Sequence, residues 1–400
     1  MTLRDLVIVG GGPAGAVCAW MAAQNGLDVV LLEKESSPHK KPCGGVLSQR
    51  AINLLDFDIS SVLEREITSA IIHSPSSQAV RQTAKQVLGY TCTREKVDAF
   101  LVQKAVGAGA EVIENTRVVA IEHLRHAVRA LAKGDSHKGR LLVGADGVNS
   151  IVATRAGLRE WNMDEIGSCL VADVSMKSEE ISGFMIRGDD GALPLEIFLG
   201  VIEGGYGWVF PKATAISIGI GHRLDYEASM YGSWKAFVRK LENERGTSLD
   251  VSSRMAVQVP ISSLDTRVTD RRTMLIGDAA GIASSITGEG MYHSIKSGLI
   301  AAQVAKEVVN MKRPHHVTAY DFRLKKDLRG ELKAARFISN LLFRSKKNAE
   351  IVCGLLADDD RLGKLALEMV TGSRPATEIK NDLIKKMLRS HLLSAIRLAI

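Results

Sequence analysis

The glycine-rich turn near the start of the chain limits the possible folds more than any other feature. An apolar segment, Leu6–Val9, comes first. Three glycines follow it in the spacing G-x-G-x-x-G, namely Gly10, Gly12 and Gly15. A helix of small residues at 14–24 then leads to a second apolar segment at 29–32. Strand, glycine turn, helix and strand in this order predict a βαβ unit that binds a dinucleotide.

Each glycine of this turn has its own physical task. Gly10 permits the tight turn, Gly12 lets a pyrophosphate approach the backbone, and Gly15 lets the helix pack closely on the strand. The start of the helix offers free N–H groups to the phosphates. Glu33 follows the second strand and is placed to accept hydrogen bonds from a ribose diol. Because a carboxylate there disfavours a 2′-phosphate, FAD and NAD remain as candidates and NADP does not.

Two later segments bear on the choice between FAD and NAD. Residues Leu141–Ser150 read LLVGADGVNS, a strand pattern that ends in A-D-G. Residues Thr273–Gly290 read TMLIGDAAGIASSITGEG, where a strand at 274–276 is followed by Asp278 and then by an apolar helix at 290–309. A carboxylate at a strand end can accept from a ribityl hydroxyl, and a helix start can face the pyrimidine edge of a flavin. Taken alone, the second segment also fits a tight turn with a capping aspartate.

In this order the G-x-G-x-x-G, A-D-G and G-D motifs resemble those of FAD-dependent oxidoreductases built like para-hydroxybenzoate hydroxylase. The resemblance spans about residues 1–310 and implies that the cofactor is FAD. It also implies that Arg94, in the sequence TCTREKVDAFL, helps to hold the FAD diphosphate. An exposed arginine at a helix start is the alternative interpretation of this residue.

Two other segments suggest a substrate. Residues 41–46 read KPCGGV, and their two glycines allow the backbone to approach an isoalloxazine ring. Residues Gly205–Pro211 read GYGWVFP. Because alternate residues of a strand share a face, Tyr206, Trp208 and Phe210 are predicted to form an aromatic wall. Ordinary sheet core is the alternative for these three side chains.

Together with the T-G-E-G loop at 287–290, these segments resemble the geranylgeranyl reductase family, whose members reduce isolated C=C bonds of prenyl chains with FAD. The resemblance implies that the FAD contacts are Gly10, Gly12, Pro13, Ala14, Gly15, Glu33, Lys34, Cys43, Gly44, Gly45, Val46, Arg94, Val118, Asp278, Gly290 and Met291. It implies in the same way that the prenyl chain contacts Tyr206, Trp208, Phe210 and Pro211. Cys43 is the candidate catalytic residue, as a proton relay or positioning group, and a small residue in a tight turn is its structural alternative.

The resemblance implies hydride transfer from reduced FAD to a prenyl lipid. An FAD-dependent monooxygenase or halogenase that acts on an apolar substrate is the alternative function. A non-catalytic electron carrier is a third, but it would not need an aromatic wall. The sequence contains no second G-x-G-x-x-G motif, so an external electron donor is expected, either NAD(P)H, a ferredoxin or reduced flavin.

The predicted fold class is α/β, with a Rossmann-like FAD-binding domain, an antiparallel-sheet substrate domain and a C-terminal helical region. Runs such as 195–201 and 215–220 have strand patterns, whereas the pattern after Pro314 is helical. The predicted boundaries are 1–72, 87–155 and 262–312 for the discontinuous FAD-binding domain, 73–86 and 156–261 for the substrate domain, and 313–400 for the helical region.

Composition places the chain among ordinary globular proteins, with 46% hydrophobic and 24% charged residues. The sequence shows no signal-peptide pattern and no apolar stretch long enough to span a membrane. With five scattered cysteines, this pattern predicts a cytoplasmic location. Neither the cysteines nor the histidines have the spacing of a metal site, so no metal is predicted.

Positive charge is concentrated in the last hundred residues, which hold 20 Lys and Arg against 11 Asp and Glu. This region lacks aromatic interleaving and any nucleic-acid motif, so nucleic acid is not a predicted partner. A solvated helical face and an anionic membrane surface remain as explanations. The second predicts peripheral docking on the cytoplasmic membrane face through residues 380–400. That segment contains Lys380, Leu383, Ile384, Lys385, Lys386, Met387, Leu388, Arg389 and Arg397.

Overall fold

A computed structural model describes residues 2–188, 191–311 and 314–399. The strands are β1 (Leu3–Val9), β2 (Val29–Leu32), β3 (Val46–Ser48), β4 (Leu63–Ile67), β5 (Ser69–His73), β6 (Ala79–Thr83), β7 (Gly89–Cys92), β8 (Glu111–Ile113), β9 (Val118–His123), β10 (Val128–Ala132), β11 (Asp135–Gly144), β12 (Ile166–Ser175), β13 (Leu195–Leu199), β14 (Gly205–Pro211), β15 (Ala215–Arg223), β16 (Met255–Pro260), β17 (Thr269–Asp270) and β18 (Thr273–Leu275).

The helices are α1 (Pro13–Gln24), α2 (Gln49–Ile52), α3 (Arg94–Gly107), α4 (Ile151–Arg155), α5 (Ser178–Phe184), α6 (Met230–Arg245), α7 (Met291–Met311), α8 (Thr318–Leu324), α9 (Gly330–Leu342), α10 (Lys346–Asp358), α11 (Asp360–Val370), α12 (Ala376–Ser390) and α13 (Leu392–Ala399). A π-helical turn, Lys325–Arg329, joins α8 to α9. Short 3-10 turns lie at Ser60–Val62, Met163–Glu165, Gly277–Ala280 and Pro314–Val317.

The first large sheet carries the glycine-rich turn. Its strand order is β17-β18-β11-β1-β2-β8. Strand β10 also pairs with β11, and β9 pairs with β10. Strand β1 is parallel to both β2 and β11, and its residues Leu6–Val9 are buried. A strand that is covered on both faces needs such a continuous apolar run, so the sequence pattern predicts β1 as a buried strand.

Helix α1 follows β1 after the short glycine turn at residues 10–12 and is almost wholly buried. It begins with Pro13 at its first position, where proline fits because that N–H has no helical partner. A Cβ on Gly15 would lie 1.9 Å from the carbonyl oxygen of Gly10, so only glycine permits this approach of helix to turn. Gly298 of α7 also lies close to α1, since its Cβ would lie 2.5 Å from the carbonyl oxygen of Ala14.

The second large sheet has the order β16-β12-β15-β14-β13-β5-β6. Its pairs are antiparallel except for β13 with β5, which run parallel, so the predicted antiparallel sheet is in fact mixed. Strand β5 also begins at Ser69, before the predicted boundary at residue 72. Pairing between segments so far apart in the chain leaves no local pattern in the sequence, which is why both details were missed.

The C-terminal region is helical, as predicted, but it packs on both sheets. The hydroxyl of Tyr320 in α8 donates to the carbonyl oxygen of Leu275 at 2.8 Å, which ties α8 to the first sheet. Buried residues of α9 to α12, such as Ile338, Leu365 and Ile379, pack with residues of the second sheet. The α/β fold class is therefore confirmed, and the helical region closes one side of the space between the sheets.

Within the ranges given above, no helix has the length and apolar character needed to cross a membrane. The same residues contain no group of His, Cys, Asp and Glu side chains that could hold a metal ion.

Candidate active site

The turn between β1 and α1 forms one end of the site. Gly10 has a φ of +104°, and a Cβ there would lie 2.3 Å from the carbonyl oxygen of Ala145. Gly12 faces two cations, since its Cβ would lie 3.4 Å from Lys41 Nζ and 4.0 Å from Arg94 Nη2. The free N–H groups at the start of α1 and these two side chains thus form a cradle suited to a diphosphate.

Glu33 lies at the end of β2, where the sequence pattern predicted it. Its side chain is buried, and Oε2 accepts from the backbone N–H of Gly11 at 2.6 Å. Oε1 accepts from the backbone N–H of Glu35 at 3.1 Å, so the carboxylate also holds the glycine turn in place. Two other predicted contacts lie nearby. Lys34 is an exposed neighbour, and Val118 begins β9 just after Thr116, whose N–H donates to the Glu33 carbonyl.

Arg94 begins α3, and its side chain is only 14% exposed. This excludes the alternative that Arg94 is an exposed arginine at a helix start. Its guanidinium donates two hydrogen bonds of 2.8 Å to the carboxylate of Asp98. Burial raises the pKa of Asp278, and the charges of Arg94 and Lys41 oppose that change. Asp278 is therefore a half-buried carboxyl close to the cationic cradle, at the position where a ribityl hydroxyl is expected.

The Cys43–Gly45 turn packs against β14 and β7. Gly45 has a φ of +77°, and a Cβ there would lie 2.2 Å from the carbonyl oxygen of Cys92. A Cβ on Gly44 would lie 3.1 Å from the ring of Phe210. The N–H of Gly45 donates to Cys43 Sγ at 3.3 Å, so the thiol is held by its own turn.

A large apolar cavity of about 580 Å³ begins at this turn. Predicted FAD contacts line its inner end, β13 and β14 line one side, and α9 to α12 line the other. The predicted site residues that line it are Cys43, Gly44, Gly45, Val46, Tyr206, Phe210, Gly290 and Met291. The structure thus brings together residues from three distant parts of the chain around one cavity.

The aromatic wall differs in detail from the prediction. Tyr206 and Phe210 line the cavity, whereas Trp208 and Pro211 are not among its lining residues. The Trp208 ring contacts both of its aromatic neighbours, with centroids 6.0 and 6.2 Å away, and its Nε1 is 3.4 Å from Ser217 Oγ. It packs against Gly219, whose Cβ would lie 2.0 Å from the ring, so Trp208 supports the two other aromatic residues without lining the cavity itself.

The apolar residues of α12 face the cavity more than the sequence suggested. Leu383, Ile384, Met387 and Leu388 all line it, although the pattern predicted a face that docks on a membrane. Helical spacing alone does not reveal which partner an apolar stripe contacts. Ile384 and Leu388 remain 40% and 60% exposed, so they mark the outer end of the cavity.

Several residues that shape the site could not be predicted from the sequence. Gly219 and Gly298 lie in no motif, and only the close contacts in the structure explain them. Lys41 lies in the KPCGGV segment, but no role was predicted for it. Glu289 lies in the T-G-E-G loop and lines the cavity, but no role was predicted for it either. A lone acid in an otherwise apolar and small loop was the available signal.

The residues at the inner end fit FAD on their geometry. The diphosphate cradle, the buried acid at the ribose position, and the Gly44–Gly45 backbone that admits a flat ring occur in the order that FAD requires. Bound FAD would be held at its phosphates by Arg94 and Lys41, and at its ring by residues 43–46 and 290–291.

Comparison with known proteins supports this assignment. Residues 4–321 match the FAD binding domain family. Digeranylgeranylglycerophospholipid reductase 1 of Methanopyrus kandleri is 30% identical over 363 residues, which cover 84% of this chain and 90% of that protein. A solved geranylgeranyl bacteriochlorophyll reductase-like protein from Thermoplasma acidophilum has a TM-score of 0.81 at 23% identity, with 100% of this chain and 99% of that chain covered. A flavin-dependent brominase has a TM-score of 0.72 at 20% identity, with 98% and 100% covered.

The two solved structures show that the fold is shared, and at these identities they show no more. The family match shows that FAD is the cofactor and that the protein is an FAD-dependent oxidoreductase. Together with the motifs that line the cavity, the match to the Methanopyrus kandleri reductase completes the identification. The chain belongs to the geranylgeranyl reductase family of FAD-dependent oxidoreductases.

Proposed function

We propose that the protein hydrogenates C=C bonds in the prenyl chains of isoprenoid lipids. The observation that carries the proposal is the cavity of about 580 Å³, whose lining is almost wholly hydrocarbon and whose inner end is formed by predicted FAD contacts. This volume is typical of sites that enclose small molecules. An apolar lining favours a prenyl chain over a polar substrate, because burial of a polar group without a partner is costly. The names of related proteins agree with this substrate class.

The chain's own residues have two tasks in this reaction. Reduced FAD, when bound, would supply a hydride to one alkene carbon. Tyr206 and Phe210 would align the prenyl chain, and their π faces would stabilise positive charge that develops on it. Cys43 lies at the inner end of the cavity, where its thiol can position the substrate or relay a proton.

An anaerobic mixing experiment tests the proposal. The protein is reduced with dithionite and then mixed with geranylgeraniol in the absence of oxygen. The oxidised flavin spectrum should return, with one alkene reduced per FAD. If the flavin stays reduced with this substrate and with geranylgeranyl diphosphate, the proposal is wrong.

A monooxygenase or halogenase that acts on an apolar substrate is the second candidate, because a flavin-dependent brominase shares the fold. That chemistry consumes oxygen, whereas alkene hydrogenation does not. The electron donor would be external in either case. Its class, NAD(P)H, ferredoxin or reduced flavin, can be assigned by which of the three bleaches the bound flavin.

We further propose that the protein docks on an anionic bilayer through the corner formed by α12 and α13. This docking surface consists of exposed apolar side chains with cations beside them. The apolar members are Phe337, Ile384, Leu388, Leu392, Leu393 and Ile396, which are 40–74% exposed. Three of these, Phe337, Ile384 and Leu388, also line the cavity, so the surface is continuous with its outer end.

Charge supports an anionic lipid as the partner. Lys385, Arg389 and Arg397 are exposed, and none of them forms a salt bridge in the part of the chain that the structure describes. Each cation near an anionic surface contributes about 1 kcal/mol. Docking here would let a prenyl chain pass from the bilayer to the flavin without crossing water.

Co-sedimentation with vesicles tests the docking proposal. Leu388→Glu with Leu393→Glu should abolish binding to phosphatidylcholine vesicles that contain phosphatidylglycerol. Phe322→Glu is the matched control, because Phe322 is 70% exposed on α8 and lies outside the docking surface. Equal, weak binding to neutral and anionic vesicles would show that the cations form only a solvated face.

A further inference from the structure

Glu289 is the one acidic side chain among the described residues that line the large cavity. It lies between Gly288 and Gly290, next to the predicted flavin contact Met291. The carbonyl oxygen of Glu289 accepts from the N–H of Ser284 at 2.9 Å and lies 3.2 Å from His293 Nδ1. These contacts fix the backbone of the loop, so the carboxyl is held at the cavity wall.

Among the described residues, the carboxyl group of Glu289 has one hydrogen-bond donor. Ser48 Oγ donates to Oε1 at 3.1 Å. On the other side lies Gly372, which has a φ of +62° and whose Cβ would lie 2.3 Å from Oε2. Because residue 372 is a glycine without a side chain, there is space for the carboxyl of Glu289 beside it.

Arg50, the cation whose charge acts on this carboxyl, is already engaged. Arg50 donates to both oxygens of Glu331, at 2.8 and 3.0 Å, and its guanidinium stacks 3.6 Å above the Tyr292 ring. Arg50 Nε and Nη1 have no hydrogen-bond partner among the described residues. Arg50 is thus close enough to stabilise a carboxylate at Glu289 without forming an ion pair with it.

Burial raises the pKa of Glu289 to about 7, while Arg50 and Ser48 oppose this change and Glu331 adds to it. His293 packs beside the group, and burial lowers the pKa of its imidazole, so it stays neutral. The charged and titratable side chains that face Glu289 from the surrounding elements are Arg50, His293, Glu331 and Arg374. At neutral pH a large fraction of Glu289 is therefore a carboxylic acid.

We propose that Glu289 is the catalytic acid that protonates the alkene in the cavity. This inference rests on the proposed function. The O–H bond of Glu289 breaks, and the π electron pair of the alkene forms a C–H bond with the released proton. The other carbon is reduced by the hydride assigned to reduced FAD. The alkene thus gains two electrons and two hydrogens, and Glu289 becomes a carboxylate.

The structure also contains a means to restore the acid. A second cavity of about 20 Å³ lies behind Glu289, between His293, Glu331 and Arg374. This is about the space of one water molecule. A water there would relay a proton from solvent, taking up one proton as it gives another to the carboxylate, which Ser48 and Arg50 stabilise in the meantime. Cys43 then acts as a positioning group and not as the proton source.

The test compares wild-type protein with Glu289→Gln, which keeps the shape of the side chain and removes its proton. Glu244→Gln is the control, because Glu244 is an exposed residue of α6 that pairs with Lys240 and lies outside both cavities. An infrared band of a protonated carboxyl should titrate near pH 7 in wild type and in the control, and should be absent in Glu289→Gln. FAD content should be equal in all three, so this measurement does not depend on activity.

Single-turnover reduction of geranylgeraniol by the dithionite-reduced proteins gives the second measurement. The wild-type rate should fall as pH rises above 7, because the acid is lost. Glu289→Gln should be at least 100-fold slower and independent of pH in this range, as expected for loss of a general acid. Glu289→Asp should recover part of the rate. If Glu289→Gln keeps the wild-type rate and pH profile, the acid assignment fails while the proposed function stands. If wild type itself does not reduce the alkene, both fail.

Discussion

Glu33 shows how one side chain links the sequence motif to the cofactor site. Its carboxylate is buried, and it accepts hydrogen bonds from the N–H groups of Gly11 and Glu35. The glycine turn therefore depends on Glu33, which is also the predicted partner of the FAD ribose. The position could be predicted from the sequence because strand length and turn spacing fix it locally. The hydrogen bond to Gly11 could not, since it depends on side-chain conformation.

Glu33→Gln should weaken FAD binding about 10- to 100-fold, because a hydrogen bond to a charged group contributes about 1.5–3 kcal/mol. Flavin fluorescence titration of the apoprotein measures this. Glu35→Gln is the matched control, because that side chain is 45% exposed and its loss should leave FAD affinity unchanged. Equal affinity in both variants would contradict the role given to Glu33.

Phe210→Ala should keep FAD and lower the turnover of a prenyl substrate by at least 10-fold. The ring lines the cavity and covers Gly44, so its loss enlarges the cavity at the flavin end and the alkene is no longer aligned. Trp208→Ala should instead lower the free energy of unfolding by about 3–5 kcal/mol, because the Trp208 side chain is buried. If Phe210→Ala lowers stability and Trp208→Ala lowers turnover, the roles given to these two residues are wrong.

At the scale of elements, the parts set by local pattern were predicted and the parts set by distant pairing were not. The glycine turn, α1 and β18 lie close to their predicted positions, because periodicity and glycine spacing are local signals. The parallel pairing of β13 with β5 was not predicted, since the sequence of neither strand indicates which strand it pairs with. The surroundings of Glu289 were missed for the same reason, because Ser48 and Gly372 come from opposite ends of the chain.

The junction of α11, α12 and α13 depends on Asp359. Its carboxylate accepts from Lys386 Nζ at 2.8 Å, lies 3.0 Å from His391 Nε2, and caps α11 through the N–H of Arg361. Hydrogen bonds from His391 and Lys386 lower the pKa of Asp359. Because the folded pKa lies below the unfolded value, this stabilisation is present above the unfolded pKa and is lost as pH falls through the folded one.

Asp359→Asn should therefore increase amide hydrogen exchange in α12 and α13 at pH 7, with FAD affinity unchanged. The difference from wild type should shrink at acidic pH, where wild-type Asp359 is also protonated. Asp360→Asn is the neighbouring control, because Asp360 is 71% exposed and its ion pair within the described part of the chain is with Lys364 of its own helix. Equal exchange in the two variants would show that the carboxylate does not hold this junction.

At the scale of the whole molecule, the site belongs to no single region. The first sheet supplies the FAD cradle, the second supplies the aromatic wall, and the C-terminal helices close the cavity. Sequence motifs predicted the first two, because each lies within one short segment. The third was predicted only as a basic helical region, since an apolar stripe fits a membrane and a cavity equally well. In the structure, the inner residues of that stripe line the cavity, and its outer residues are exposed.

The central claim is that this cavity holds a prenyl chain for hydrogenation. The most direct measurement is mass spectrometry of a geranylgeranyl lipid after incubation with reduced protein, once without oxygen and once with it. We expect products heavier by two hydrogens for each reduced double bond, formed in the anaerobic sample and containing no added oxygen or halogen. Products that appear only with oxygen, and that carry an oxygen or halogen atom, would contradict the claim and assign the site to a monooxygenase or halogenase.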